Sequence, residues 1–262
     1  MAFSEKFFES RQNKLQGKTT RERGYEKQLL ALEWISRWGY SFPSVLDRIS
    51  NVTARGLTAK LVRNGLVKTT KTASGGGLKD IPNQMLTLTL DGLRILENNS
   101  INPIEYVLDP YRIKQDQLRH YFIVQTSTMK AMNESKISSF QTEKEYVVFS
   151  KHNVKQPDAI WNLHNGNKMA IEVELTAKWG RKLDEFIFSS LKALKKQDDG
   201  IAYIDYFVIY SDSNALLERY KNAFEPGQVH SRWEKNNRGY WVQEGTFEVP
   251  NSISGKVICK KY

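Results

Sequence analysis

The sequence predicts an α/β protein, α+β in overall arrangement, in which a basic helical domain carrying one β-hairpin precedes a mixed β-sheet flanked by helices. Three observations predict it. Apolar residues recur at helical spacing from Tyr25 to Gly65 and then alternate with period 2 from Leu66 to Thr89. From Asp158 onward a hairpin pattern, an amphipathic helix, an apolar β-branched strand and another helix follow one another, the succession of a sheet with crossover connections. A chain of 262 residues is also long enough to bury two cores of ordinary size.

Composition narrows the class. No run of about 18 apolar residues occurs, so no membrane span is expected, and residues 1–14 lack the apolar stretch of a secretion signal. The single cysteine, Cys259, rules out an intrachain disulfide and fits a cytoplasmic location. Formal net charge is +10, from 39 Lys+Arg against 29 Asp+Glu, and it is uneven: residues 1–100 carry 16 basic and 9 acidic side chains, residues 101–262 carry 23 and 20. The excess lies in the first domain, where neutralising phosphates and releasing counterions makes DNA the expected partner. The sequence contains no GxxxxGK[ST], no Cys/His zinc spacing and no GxSxG, which removes support for nucleotide-hydrolase, zinc-finger and α/β-hydrolase readings.

Residues 1–24 read as a basic leader interrupted by Gly17 and Gly24. From Tyr25, the positions Leu29, Leu30, Leu32, Trp34, Ile35 and Trp38 mark a helix closed by Gly39. A short helix follows from Pro43 to Ile49, with Pro in its first turn. Ser50-Asn51-Val52 is a turn, Thr53 caps the next helix, Leu57, Leu61 and Val62 face inward, and Asn64-Gly65 ends it. Residues 66–71 and 84–89 alternate as two strands around the polar loop 72–83, and residues 90–98 form a further helix. Helix, short helix, turn, helix and a two-stranded tip, with "N-G-L-V" and "L-T-L-T-x-x-G", resembles winged helix-turn-helix proteins over residues 25–98. The resemblance implies that the third helix enters the major groove. Its outward candidates are Arg55, Thr58, Lys60 and Arg63, of which Arg55 and Thr58 share a face and are the better placed for base contact. Lys68, Lys71 and Lys79 on the hairpin would hold phosphates.

Residues 99–114, with Pro103 and Pro110, read as a linker, and residues 115–262 as the second domain. Its first helix, Lys114 to Met132, is expected to pack on the sheet. Residues 145–150, EYVVFS, read as the first strand, 181–195 as an amphipathic helix, 202–210 as a strand buried on both faces, and 214–224 as a helix. The remaining tail, from Pro226, combines basic residues with Trp233, Tyr240 and Trp241; these are expected to be packing aromatics rather than a clamp on a nucleic-acid strand.

The stretch Pro157–Lys178, PDAIWNLHNGNKMAIEVELTAK, carries the chemistry. His164-Asn165-Gly166-Asn167 is a hairpin turn between two apolar runs. In the second run Met169, Ile171, Val173 and Leu175 share one parity and are expected to face a core, with Glu172 and Glu174 projecting side by side from the opposite face. Neighbouring buried carboxylates need a proton, a base or a cation. If Asp158 starts the paired strand it joins them, and three oxygen ligands on rigid strands suit Mg²⁺ or Mn²⁺. Lys178 has the same parity, yet a straight strand would put it about 13 Å from Glu174. It reaches the site only if the chain bends across Ala177 to Gly180.

Pro157-Asp158 followed 14 positions later by Glu172-Val173-Glu174 resembles the PD-(D/E)XK superfamily of restriction-endonuclease-like, metal-dependent nucleases. The departure is Glu174, where the commonest pattern has lysine. The resemblance implies a restriction-endonuclease-like mixed sheet and DNA phosphodiester cleavage. Asp158, Glu172 and Glu174 would be metal ligands, with Glu174 alternatively positioning the attacking water and Lys178 partnering the scissile phosphate. Glu134, Glu143 and Glu145 are alternatives for an additional upstream acid. A winged helix joined to such a nuclease is similar to plasmid mobilisation relaxases and replication-relaxation proteins, which implies strand-specific nicking and accessory mobilisation or replication proteins as further partners. A transposon-end or restriction endonuclease would show the same residues. The competing class is a non-catalytic DNA-binding regulator that keeps the fold without the chemistry. Oligomeric state is not legible.

Overall fold

Thr19 and Glu22 form a reciprocal capping box, the Glu22 amide donating to Thr19 Oγ1 at 3.2 Å and the Thr19 amide to Glu22 Oε2 at 2.6 Å. It starts helix α1 (Thr20–Trp38) inside the stretch read as a leader, and Gly24 is carried as a helical residue. The computed structural model describes residues 18–49, 56–73, 80–103, 106–145, 154–195 and 203–262, divided between two compact units, Met1–Glu145 and Tyr146–Tyr262.

In the first unit α1 is the central element, buried at every position from Gln28 to Trp38 and closed by Gly39 at φ 81°. Helices α2 (Pro43–Leu46), α3 (Leu57–Arg63) and α4 (Leu90–Asn98) surround an antiparallel hairpin, β1 (Val67–Lys71) and β2 (Gln84–Leu88), registered with Val67 opposite Leu88 and Lys71 opposite Gln84. The expected turn 50–52, the Thr53 cap and the sites Arg55 and Lys79 lie outside the described residues. Val62, expected inward, is exposed, because α3 turns Leu61 to the core. Gly92 in α4 is set by close approach: a Cβ there would lie 2.2 Å from the Leu66 carbonyl oxygen.

Helix α5 (Leu118–Asn133) corrects an expectation. It belongs to the first unit, and packs there through a buried amide. Gln125 accepts from Trp34 Nε1 at 3.1 Å and from the Ser41 hydroxyl at 2.7 Å, and donates to the Tyr40 carbonyl at 2.9 Å. Residues 99–114, read as a linker, are likewise inside this unit. Strand β3 (Ser139–Thr142) closes it, with Phe140 packed on Trp34 and Trp38 and the buried Arg37 guanidinium 3.9 Å from the Phe140 ring centroid.

In the second unit β4 (Ala159–Asn162) and β5 (Lys168–Val173) form the expected hairpin, Ala159 opposite Ile171 and Asn162 opposite Lys168. Gly166 supplies the left-handed φ of 86° in its turn. Helix α6 (Arg181–Leu194) crosses over to β6 (Tyr206–Ser211), which runs parallel to β5. Helix α7 (Asn214–Ala223) follows, and a separate hairpin, β7 (Val229–Lys235) and β8 (Trp241–Glu248), leads to β9 (Val257–Lys261), parallel to β6. Within the unit the hydrogen-bonded order is β4-β5-β6-β9, a mixed sheet. Ile160, Ala170, Phe207 and Ile209 from the sheet, Phe186 and Ile187 from α6, and Tyr220 and Phe224 from α7 share one core. Residues 146–150, most of the expected first strand, lie outside the described residues, and Glu145 is in a 3-10 turn.

Candidate active site

The carboxylates stand where β5 ends, and on the covered side of the sheet. Ala170 faces the helix-packed core, so Glu172 and Glu174, two and four positions on, are turned toward the same side. They were expected on the face opposite the core. Both faces of β5 are buried here, so parity separates the two faces without saying which one the helices cover. Asp158, immediately before β4, is held by two backbone bonds: its amide donates to the Ile171 carbonyl at 3.0 Å, and its Oδ2 accepts from the Val173 amide at 2.7 Å. Asp158, Glu172 and Glu174 are all buried.

Each glutamate has its own lysine. Lys155, on the segment leading into β4, places Nζ 2.6 Å from Glu172 Oε1, and its own amide donates to the Ser189 carbonyl of α6 at 3.2 Å. Lys178 pairs with Glu174 Oε1, which it reaches because the strand ends at Val173 and the chain bends before α6. The other oxygen of Glu174 accepts from the Tyr220 hydroxyl of α7 at 3.0 Å. The Phe186 ring lies beneath, 5.9 Å from Lys155 Nζ and 4.7 Å from Lys178 Nζ.

Among the described residues, Glu172 Oε2 is buried and has no hydrogen-bond partner, although Glu172 Oε1 is paired with Lys155. Burial first, and then the neighbouring Asp158 charge, push the Glu172 carboxyl up to about 8, against the opposing pull of Lys155. Burial works to lower the Lys155 ammonium, but the charges of Glu172, Asp158 and Glu174 outweigh it and leave it raised. Tyr220 is raised as well, by burial and by Glu174, so its hydroxyl stays protonated and donates.

A cation bound by all three carboxylates was expected. Among the described residues no group of three or more His, Cys, Asp or Glu side chains is gathered for a metal, and Glu174 is engaged by Lys178 and Tyr220. The remaining pair still suits a hard cation. Mg²⁺ is commonly held by one or two carboxylates, with water and substrate phosphate completing its shell. Glu172 Oε2 is the buried oxygen that such an ion, or a proton, would satisfy.

Lys155 and Tyr220 were missed by the sequence reading. Lys155 sits three residues before Asp158 in a polar segment and Tyr220 on an ordinary amphipathic helix; neither carries a local signal. The upstream acids are engaged inside the first unit: Glu134 pairs with Lys136 at 2.6 Å, Glu143 accepts from the Tyr121 hydroxyl, and Glu145 pairs with Arg37 at 3.2 Å.

Of the residues assigned to DNA in the first unit, Lys60, Arg63, Lys68 and Lys71 are exposed. Thr58 is half-buried and turned inward. Its amide donates to Asp47 Oδ1 at 3.0 Å and its hydroxyl lies 3.5 Å from the Pro43 carbonyl, which engages it with α2 rather than leaving it to meet a base. No family model, curated protein or solved structure matches this chain.

Proposed function

We propose that the chain is a metal-dependent DNA endonuclease whose first unit, read as a winged helix, binds DNA and whose second unit, read as a restriction-endonuclease-like core, cleaves it. The observation that carries the reading is one orphan oxygen in a pair of acids: Asp158 and Glu172 stand together at a strand end, with Glu172 Oε2 buried and without a hydrogen-bond partner among the described residues. An antiparallel hairpin, a helix and a parallel strand around those acids support it.

Asp158 and Glu172 are the residues that would hold Mg²⁺ or Mn²⁺. Such an ion lowers the pKa of a water it binds and neutralises charge developing on a phosphate. The chain's own groups divide the rest of the work. The Val173 amide fixes the Asp158 carboxylate. Lys155 supplies, from the segment before β4, the ammonium that the motif lacks at Glu174. Lys178 and Tyr220 hold Glu174 in one orientation, from which it positions water, and Lys178 is the nearer partner for a scissile phosphate.

Supercoiled plasmid carrying the gene's own neighbourhood, incubated with Mg²⁺ or Mn²⁺, tests the proposal. Conversion to open circles that stops with EDTA and in Glu172→Ala is expected of a nicking enzyme of the mobilisation or replication-relaxation kind. Linear product would identify a double-strand endonuclease. One observation favours a second reading, a non-catalytic regulator: Glu172 and Glu174 each already have an ammonium partner. That reading requires no cleavage, with DNA binding unchanged by EDTA and by Asp158→Ala.

A further inference from the structure

The aromatic residues expected to pack divide into two groups. Trp233 packs: its Nε1 donates to Asp184 of α6 at 2.9 Å. Trp241 and Tyr240 do not, being 42% and 69% exposed at the end of the β7–β8 hairpin, and Trp179 is 67% exposed. These exposed tryptophans are not scattered. Trp179 directly follows Lys178, and Arg219 of α7 lies 3.4 Å from its ring centroid while donating Nε to the Lys178 carbonyl at 3.1 Å. Trp241 lies 4.5 Å from the guanidinium of Arg181, the first residue of α6, and 5.2 Å from Lys235 Nζ across the hairpin. Both tryptophans therefore bracket residues 178–181, the bend that brings Lys178 onto Glu174.

We infer that Trp179 with Arg219, and Trp241 with Arg181 and Lys235, form a stacking surface for the unpaired bases of single-stranded DNA beside the carboxylate site. An exposed indole offers a π-face that any base can stack on, and a cation over it adds attraction for the neighbouring phosphate. Arg181 Nη1 already donates to both carboxylate oxygens of Glu185, at 2.8 Å each, so Arg181 serves mainly to hold Trp241. Arg219 and Lys235 form no ion pair among the described residues and supply the charge that a phosphate backbone complements. An acidic partner without rings would use the cations and leave the indoles unmatched. The inference rests on the nucleic-acid part of the proposed function and not on its metal.

The test is fluorescence anisotropy of a labelled oligo-dT of about 16 nucleotides, titrated with the full chain in EDTA, with a blunt duplex of the same length in parallel. Trp179→Ala and Trp241→Ala are expected each to weaken single-strand binding by roughly 5- to 100-fold. Trp→Phe at either position should retain most of the affinity, and duplex binding should stay unchanged. Both side chains are exposed, so the variants should keep wild-type melting curves. Oligo-dT affinity within about twofold of wild type in the double Ala variant would overturn the inference. So would equal losses for single strand and duplex, or a concentration-dependent dimer abolished by Trp241→Ala with oligo binding intact, which would assign the surface to a second copy of the chain. Loss of cleavage in Glu172→Ala leaves this result untouched, since binding is read without metal.

Discussion

Glu172 is the residue on which proton, lysine and cation compete. Its raised carboxyl binds a proton in the folded state between the ordinary value of 4.5 and about 8, where the unfolded chain does not. Its contribution to stability is therefore fully present below about 4.5 and is lost as pH rises through about 8. Thermal melting in metal-free buffer should show a midpoint that falls between pH 6 and 8.5, with Mg²⁺ or Mn²⁺ restoring part of it at the alkaline end. Glu172→Gln should flatten that slope and remove the metal effect; an unchanged slope in the variant would refute the assignment. Tyr220 tests the neighbouring pair. Tyr220→Phe keeps the ring against Phe186 but strips a buried oxygen of Glu174 of its donor. The expected loss is about 1.5–3 kcal/mol, the range for a hydrogen bond to a charged group, read as a lower urea midpoint at unchanged m-value.

At the scale of elements, one close approach and one strand end position the parts that matter. Gly92 lets α4 settle against the Leu66 carbonyl at the entry to β1, where any side chain would collide with backbone. Gly92→Ala must push helix and hairpin apart, and should destabilise the first unit by about 1–3 kcal/mol, the usual range for overpacking. Urea denaturation monitored by tryptophan fluorescence would measure it, since Trp34 and Trp38 lie in that unit's core. In the second unit the corresponding event is the end of β5 at Val173. Continued as a straight strand, Lys178 would lie out of reach of Glu174; because the chain bends before α6, it pairs with Glu174 and Trp179 is left exposed beside it. The pairings of β6 with β5 and with β9, both parallel, then bring α6 and α7 onto the glutamate-bearing face.

For the whole molecule, charge is the property that carries furthest from the sequence. With +10 overall and most of the excess before residue 100, DNA binding should depend steeply on salt. If Lys68 and Lys71 each hold a phosphate, the double variant to Gln should reduce the slope of log K against log salt by about 2 and weaken all duplex sequences alike. An unchanged slope would remove β1 from the DNA surface. By itself the sequence determined the α/β class, most helices and strands, and the β4–β5 hairpin along which Asp158, Glu172 and Glu174 fall, because these are set by local periodicity and turn chemistry. Lys155 and Tyr220, the inward turn of Thr58, the place of α5 in the first unit and the covered side of β5 were decided only by tertiary structure. Each depends on which distant segment packs against a given face. A strand buried on both sides, or a helix with one apolar stripe, carries no local mark of its partner.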